Sequence, residues 1–185
     1  MIVLRADAQR NLERVLDAAT AAFTASGPEA SIDDIAHRAG VGHATVLRRF
    51  PTKDALMLAV IDRRVTEIRG AAEEALASDD PGQAFFDFVW KVAELHAGAR
   101  GLHECVAACG DKPGAADLER LSAKIVSRAQ RAGAVRPDIK AADVPALVRA
   151  ALFAAPERQW RRYVEVVLDG LRLEATSAKP PSPGR

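Results

Sequence analysis

Residues 31–56 read SIDDIAHRAGVGHATVLRRFPTKDAL. Ser31 stands where a helix N-cap is expected, and Asp34 lies three residues on, at the place of a capping-box acid. Ile35 and Ala36 begin a short helix that stops at Gly40. A second short helix is expected from about His43 to Phe50, where Pro51 breaks it, and Thr52 can cap a third. Two short helices joined by Ala39-Gly40-Val41-Gly42, with a glycine free to take positive φ in the turn, have the pattern of a helix-turn-helix. From Ile35 to Lys53 there is no Asp or Glu, while Arg38, Arg48, Arg49 and Lys53 are all present. Four cations alone would read as solvated helix charges. Joined to the glycine turn and the small residues beside it, they read as a phosphate-binding surface.

Upstream, Leu12, Val15, Leu16, Ala19, Ala22 and Phe23 recur at helical spacing from Gln9 to Ala25, and Gly27-Pro28 ends that helix. This stripe is the surface against which Ile35, Ala36, Val41, Val46 and Phe50 would lock. Downstream, Lys53 to Leu76 predicts a long helix, closed by the Asp79-Asp80-Pro81-Gly82 turn. Gln83 to Ala97 is apolar nearly all round, which predicts a central, buried helix. A short helix is expected over Leu102–Cys109, then one over Asp117–Ala132 with Gly133 as its C′ residue. Asp143 is expected to cap a helix reaching Ala154, with Pro145 in its first turn. Glu157–Leu173 forms the last. The tail, 175–185, is rich in Pro, Ser and Gly and is expected to be disordered. No segment alternates as a strand does, so the fold class is all-α with about nine helices. The domain reading is a DNA-binding module over 1–52, with the helix from 53 as connector, and a helical bundle over 53–174.

Composition bounds the function. Charged residues make up 28% and hydrophobic residues 49%, a globular balance. The net charge is +1, so any affinity for nucleic acid must come from a local patch. Cys105 and Cys109 are the sole cysteines, too few and too close for a disulfide framework. Met1 to Leu4 is too short for a signal peptide, and no apolar run reaches a membrane span. A soluble, cytoplasmic protein is expected. No nucleophile motif, glycine-rich phosphate loop or cluster of catalytic carboxylates is present, so an enzyme is not expected, nor is a cofactor.

A recognition helix presents its N-terminal residues to base edges in the major groove. Here these are Gly42, His43, Ala44 and Thr45. His43 could donate to a base acceptor, Ala44 could touch a thymine methyl, and Thr45 could bond a phosphate or a base. Arg48 reaches a guanine or a phosphate. Ser31, Thr52 and Lys53 lie at helix starts, where free N–H groups suit phosphates; plain capping is compatible with that role. So small a module makes few base contacts. Specificity therefore calls for two copies on a near-palindromic site, spaced by about 34–36 Å or a multiple.

The run Ala39-Gly40-Val41-Gly42-His43-Ala44-Thr45-Val46-Leu47-Arg48-Arg49-Phe50-Pro51-Thr52-Lys53-Asp54-Ala55-Leu56 resembles the TetR family of bacterial transcription regulators. The match extends back through Ser31-Ile32-Asp33-Asp34-Ile35-Ala36 and the first helix. The family pattern has Ser where Gly42 stands, Tyr at Leu47 and His at Arg49. The resemblance places Leu47 and Arg49 on the DNA-facing helix, with Arg48 and Arg49 able to replace the contact of the missing Tyr.

The resemblance also implies a ligand pocket in the second domain and dimerisation through the last two helices. For the pocket the candidates are Phe86, Trp90, His96, His103, Cys105, Val106, Cys109, Leu121 and Phe153, a largely apolar and aromatic set that suits an apolar or aromatic effector. For the interface they are Leu147, Trp160, Tyr163, Val164, Val167, Leu168 and Leu171. For each set, burial within one chain is the competing reading. The function expected is a ligand-responsive regulator, a repressor released from a palindromic operator. The alternatives are a thiol- or metal-sensing regulator using Cys105 and Cys109, or a helical adaptor that binds no DNA. The cysteine spacing matches no standard zinc pattern, so no metal site is assigned.

Overall fold

The structure, a computed structural model, describes residues 2–97, 114–156 and 159–173. It is all-α. The helices are α1 (Ile2–Ser26), α2 (Ile32–Ala39), α3 (His43–Arg49), α4 (Lys53–Ala77), α5 (Pro81–His96), α6 (Ala115–Arg131), α7 (Asp143–Ala154) and α8 (Trp160–Leu171), with a 3-10 turn over Gly27–Glu29. The expected helix over 102–109 lies outside the described residues. Among the described residues the only β pairing is an isolated bridge between Val135 and Arg172.

The chain divides into two compact units. The first holds α1–α3 and α4 up to Glu67, and the second holds α4 from Ile68, α5 up to Glu94, and α6–α8 from Ala116. Each has its own apolar core. In the first, Val15, Ala19 and Phe23 of α1 meet Ile35 and Ala36 of α2, Val46 and Phe50 at α3, and Leu56 and Val60 of α4. The stripe of α1 thus does what its spacing predicts. The helix itself starts earlier than Gln9, because nothing in residues 2–8 breaks a helix.

Polar groups pin α4 to α1 inside this unit. Arg63 donates to Asp17 Oδ1 at 2.7 Å, to Thr20 Oγ1 at 2.6 Å and to the Leu16 carbonyl at 3.2 Å. One guanidinium therefore satisfies three acceptors along one turn of α1.

In the second unit Phe85, Phe88 and Val89 of α5, Ile125 and Ala129 of α6, Val144 and Val148 of α7, and Val164 and Leu168 of α8 form the core. The expectation that α5 lacks a polar face is corrected. Gln83, Asp87, Lys91 and Glu94 lie at helical spacing and are exposed, so one narrow stripe faces solvent. The helix also starts at Pro81 rather than Gln83. Asp80 Oδ1 accepts from the Gln83 N–H at 2.9 Å, the N-cap bond, and proline at the first position loses no helical donor.

Asp143 does not cap α7; it is the first helical residue, and its carboxylate accepts from the Lys140 N–H at 2.8 Å. Gly133 does end α6 in the left-handed region, at φ 73°. The C-terminus of α4 is closed by Arg128, which donates to the carbonyls of Leu76 and of Ser78. After α6, Arg136 forks onto Asp138, with its Nε at 3.0 Å and Nη2 at 2.6 Å from the two carboxylate oxygens. That hydrogen bond holds the Asp138 carboxyl below the usual range.

Candidate nucleic-acid interface

The interface is built on the turn between α2 and α3. Gly40 sits at φ 65°, ψ 36°, the left-handed conformation, and its N–H returns to the Ala36 and His37 carbonyls. A Cβ there would meet only Arg14 Nη1, at 3.7 Å, so the requirement for glycine is conformational and not one of space. Gly40→Ala is expected to cost about 1–2 kcal/mol, read as a lower denaturation midpoint without a change in helical content.

From that turn the chain passes through extended Gly42 into α3. Val46 and Phe50 point into the core, 1% and 9% exposed. The opposite face then has to point outward. His43, Ala44, Arg48 and Arg49 are exposed, with Thr45 and Leu47 half-buried at its edges. Arg48 Nη2 donates to Thr45 Oγ1 at 3.1 Å, one turn away.

The flanking contacts are also local. The Ser31 hydroxyl accepts from the Asp33 N–H at 3.1 Å, and Thr52 Oγ1 accepts from the Ala55 N–H at 3.1 Å. Both therefore cap helices as expected. The acid of the expected capping box, Asp34, is not the partner of Ser31; the cap bond goes to the backbone of Asp33. Lys53 is half-buried, and its ammonium donates to the Pro28 carbonyl at 2.6 Å.

Asp33 adjoins this face, which the sequence does not reveal. Its carboxylate takes a hydrogen bond from His43 Nδ1, the first residue of α3. The two are ten positions apart, and only the geometry of the turn brings them together. Arg49 and Thr45 further line an open hollow of about 470 Å³ between α1 and α3, with Gln9 and Asn11 on its other side.

The second unit distributes the remaining candidates in a way that spacing alone does not foresee. Phe86 and Leu121 are buried in its core, and Trp90 packs against it. Phe86 and Trp90 also line an open cleft of about 380 Å³ between α5 and α8, where the Arg172 guanidinium lies 4.0 Å from the centroid of the Phe86 ring. His96 is half-buried. Phe153 is 51% exposed on α7 and stands outside that core. His103, Cys105, Val106 and Cys109 lie outside the described residues. Among the described residues no group of three or more His, Cys, Asp or Glu could hold a metal ion.

The expected interface stripe also divides. Val164, Leu168 and Leu171 are 0%, 7% and 1% exposed, buried in the chain's own core, so they are corrected to core residues. Trp160 and Val167 pack partly against the same core, and Trp160 meets Trp90 at 5.7 Å between ring centroids. Only Leu147 and Tyr163 of the expected set are exposed, on α7 and α8, as are Phe153 and Val166. Among the described residues no helix is long and apolar enough to cross a membrane.

Comparison with known proteins agrees with this geometry. Residues 15–60, which carry α2, α3 and their supports, match the family described as bacterial regulatory proteins of the tetR family. Residues 80–173 match the C-terminal domain of SbtR-like transcriptional regulators. A solved TetR transcription regulatory protein from Mycobacterium vanbaalenii is 40% identical, with a TM-score of 0.70 over 91% of this chain and 99% of that one. A TetR transcriptional regulator from Streptomyces coelicolor is 28% identical, with a TM-score of 0.69 over 86% of this chain and 97% of that one. An HTH-type transcriptional repressor of Mycobacterium tuberculosis is 49% identical over 55 residues, a match that spans 29% of each chain. A turn that forces α3 outward, a separate helical unit, and matches to both parts give one answer: the chain belongs to the TetR family of DNA-binding transcriptional regulators.

Proposed function

We propose that this protein is a homodimeric repressor that reads a near-palindromic operator through α3 and leaves it when a small molecule binds the second unit. The observation that carries this reading is the outward face of α3. His43, Ala44, Arg48 and Arg49 stand exposed while Val46 anchors the helix from behind. Base edges meet the first turn of the helix and phosphates meet the arginines. Thr45 shares the first turn, Gly42 allows close approach, and Leu47 lies at the edge. Ser31, Thr52 and Lys53 flank the backbone, Lys53 with its ammonium already held by Pro28.

Two copies join through the outer face of α7 and α8. Leu147, Phe153, Tyr163 and Val166 are each between 38% and 54% exposed there, an apolar face that a two-fold partner would cover. The effector is of apolar or aromatic class, taken up by the second unit, where Phe86 and Trp90 edge an open cleft and Leu121 stands in the core beneath the helices. Release follows if the effector binds one spacing of the two reading heads better than the other. A coupling of about 1–3 kcal/mol is the usual scale.

The test is binding of full-length protein to duplex DNA selected from a random-sequence pool, measured across a salt series. A steep loss of affinity with salt is expected, and a flat salt response or no selection rejects the reading. Arg48→Ala should weaken the selected duplex by about 1–3 kcal/mol if Arg48 reads a guanine. If it holds a phosphate instead, the loss should be uniform across sequences, and the salt slope should become shallower by about 0.9 for one phosphate no longer neutralised. Unchanged affinity removes Arg48 from the reading face.

A further inference from the structure

The first turn of α3 presents one long side chain. Gly42 and Ala44 flank His43, and a Cβ added at Gly42 would meet nothing nearer than Thr45 Oγ1, at 3.8 Å. Neither flanking residue carries a side-chain group that could hydrogen-bond the imidazole. What holds it is Asp33, on the first turn of α2, through the hydrogen bond to Nδ1. The backbone at Asp33 is held by the Ser31 cap bond, which takes its N–H, and the carboxylate stands exposed beside the ring.

An ionised carboxylate only accepts hydrogen bonds, so the ring nitrogen that meets it carries the hydrogen. In the neutral ring the other nitrogen, Nε2, then has a free lone pair. In the major groove an acceptor at that position pairs with the exocyclic amino group of adenine or cytosine, and not with the acceptors of guanine or thymine. We propose that Asp33 is a positioning residue for sequence recognition: it fixes the ring orientation and tautomer of His43, so that Nε2 reads an amino group on one base pair of each half-site. This reverses the sequence-based expectation that His43 donates to a base. It rests on α3 being the reading helix, and Asp33 itself touches no base in this assignment.

Two measurements test it. In the first, ¹⁵N spectra of the free full-length protein report which ring nitrogen of His43 is protonated, the signal being assigned by its loss in His43→Gln. The wild-type ring should carry its hydrogen on Nδ1. In Asp33→Asn, whose amide both donates and accepts, the two tautomers should mix. A wild-type ring protonated on Nε2 alone overturns the proposal without reference to DNA.

In the second, the pool-selected duplex and its single-base-pair variants are titrated with each protein. Asp33→Asn should lose about fivefold to tenfold of discrimination at one base pair, an A·T or C·G pair with its amino group in the groove. His43→Ala should become indifferent at the same pair, and adding Asp33→Asn to it should change discrimination there no further. Asp33→Glu should restore part of the discrimination. Asp33→Asn should bind unrelated duplex at least as well as wild type, because it removes a negative charge near the phosphates. An equal gain on every sequence, with discrimination intact, would show that Asp33 acts only by its charge and would overturn the proposal. A wild-type protein that selects no duplex fails the reading-helix assignment instead, and the ring spectrum separates that failure from this one.

Discussion

Val166→Glu is expected to leave the protein folded and monomeric, and to lower its affinity for the full operator by about a hundredfold or more. Val166 is 54% exposed on α8, between Val164, which is fully buried, and Leu168, which is 7% exposed. The substitution therefore disturbs little within one chain. In a two-fold interface the same residue meets its own symmetry surroundings, so each dimer would bury two added carboxylates. Removing the partner of a buried charge costs about 3–5 kcal/mol, and an added orphan charge is of similar order. With about 1.4 kcal/mol per tenfold, that suffices to dissociate the dimer at ordinary concentrations. Two linked half-sites then become independent weak ones. Sedimentation would show the monomer and circular dichroism the retained helices. A dimer that persists in Val166→Glu places the interface elsewhere. Val164→Glu, two residues away, should unfold the second unit instead, which makes the pair a measure of which side of α8 faces in.

Phe23→Ala should destabilise the first unit by about 3–5 kcal/mol. Phe23 has no exposed surface and stands in the core shared by α1, α2 and α3. Deleting its ring leaves a cavity under the helix-turn-helix, and a whole domain has only about 5–15 kcal/mol in hand. The two units have separate apolar cores, so urea denaturation should split into two steps, with the earlier step abolishing DNA binding. A single transition at the wild-type midpoint would mean that Phe23 contributes little to the reading head.

The reading head is legible from sequence because its signals are local. Ser31 and Thr52 cap, Gly40 turns, Pro51 stops, and Val46 and Phe50 fall at the inward spacing of a helix too short to point them elsewhere. The second unit is less so. On α8 the apolar residues Val164, Val166, Val167 and Leu168 cover several directions, and spacing cannot say which direction meets the chain's own core and which a partner. Spacing consequently puts Val164, Leu168 and Leu171 at the interface although they belong to the core, and it passes over Val166. Phe153 is ambiguous for the same reason: an aromatic residue on an apolar helix fits a pocket or an outer face equally well. The contact between Asp33 and His43 has no signature at all, since it depends on the angle at which Gly40 joins two helices.

The three bonds of Arg63 have a consequence for how induction would work. They tie the middle of α4 to α1, and α1 is packed against α2 through the common core. A swing of α4 would thus carry the head as a solid piece, without loosening its grip on bases or phosphates. If the proposed effector acts through such a swing, the protein would lose register with its operator yet keep its general attraction for the polyanion, and would stay on the chromosome at unrelated sequence instead of leaving for free solution.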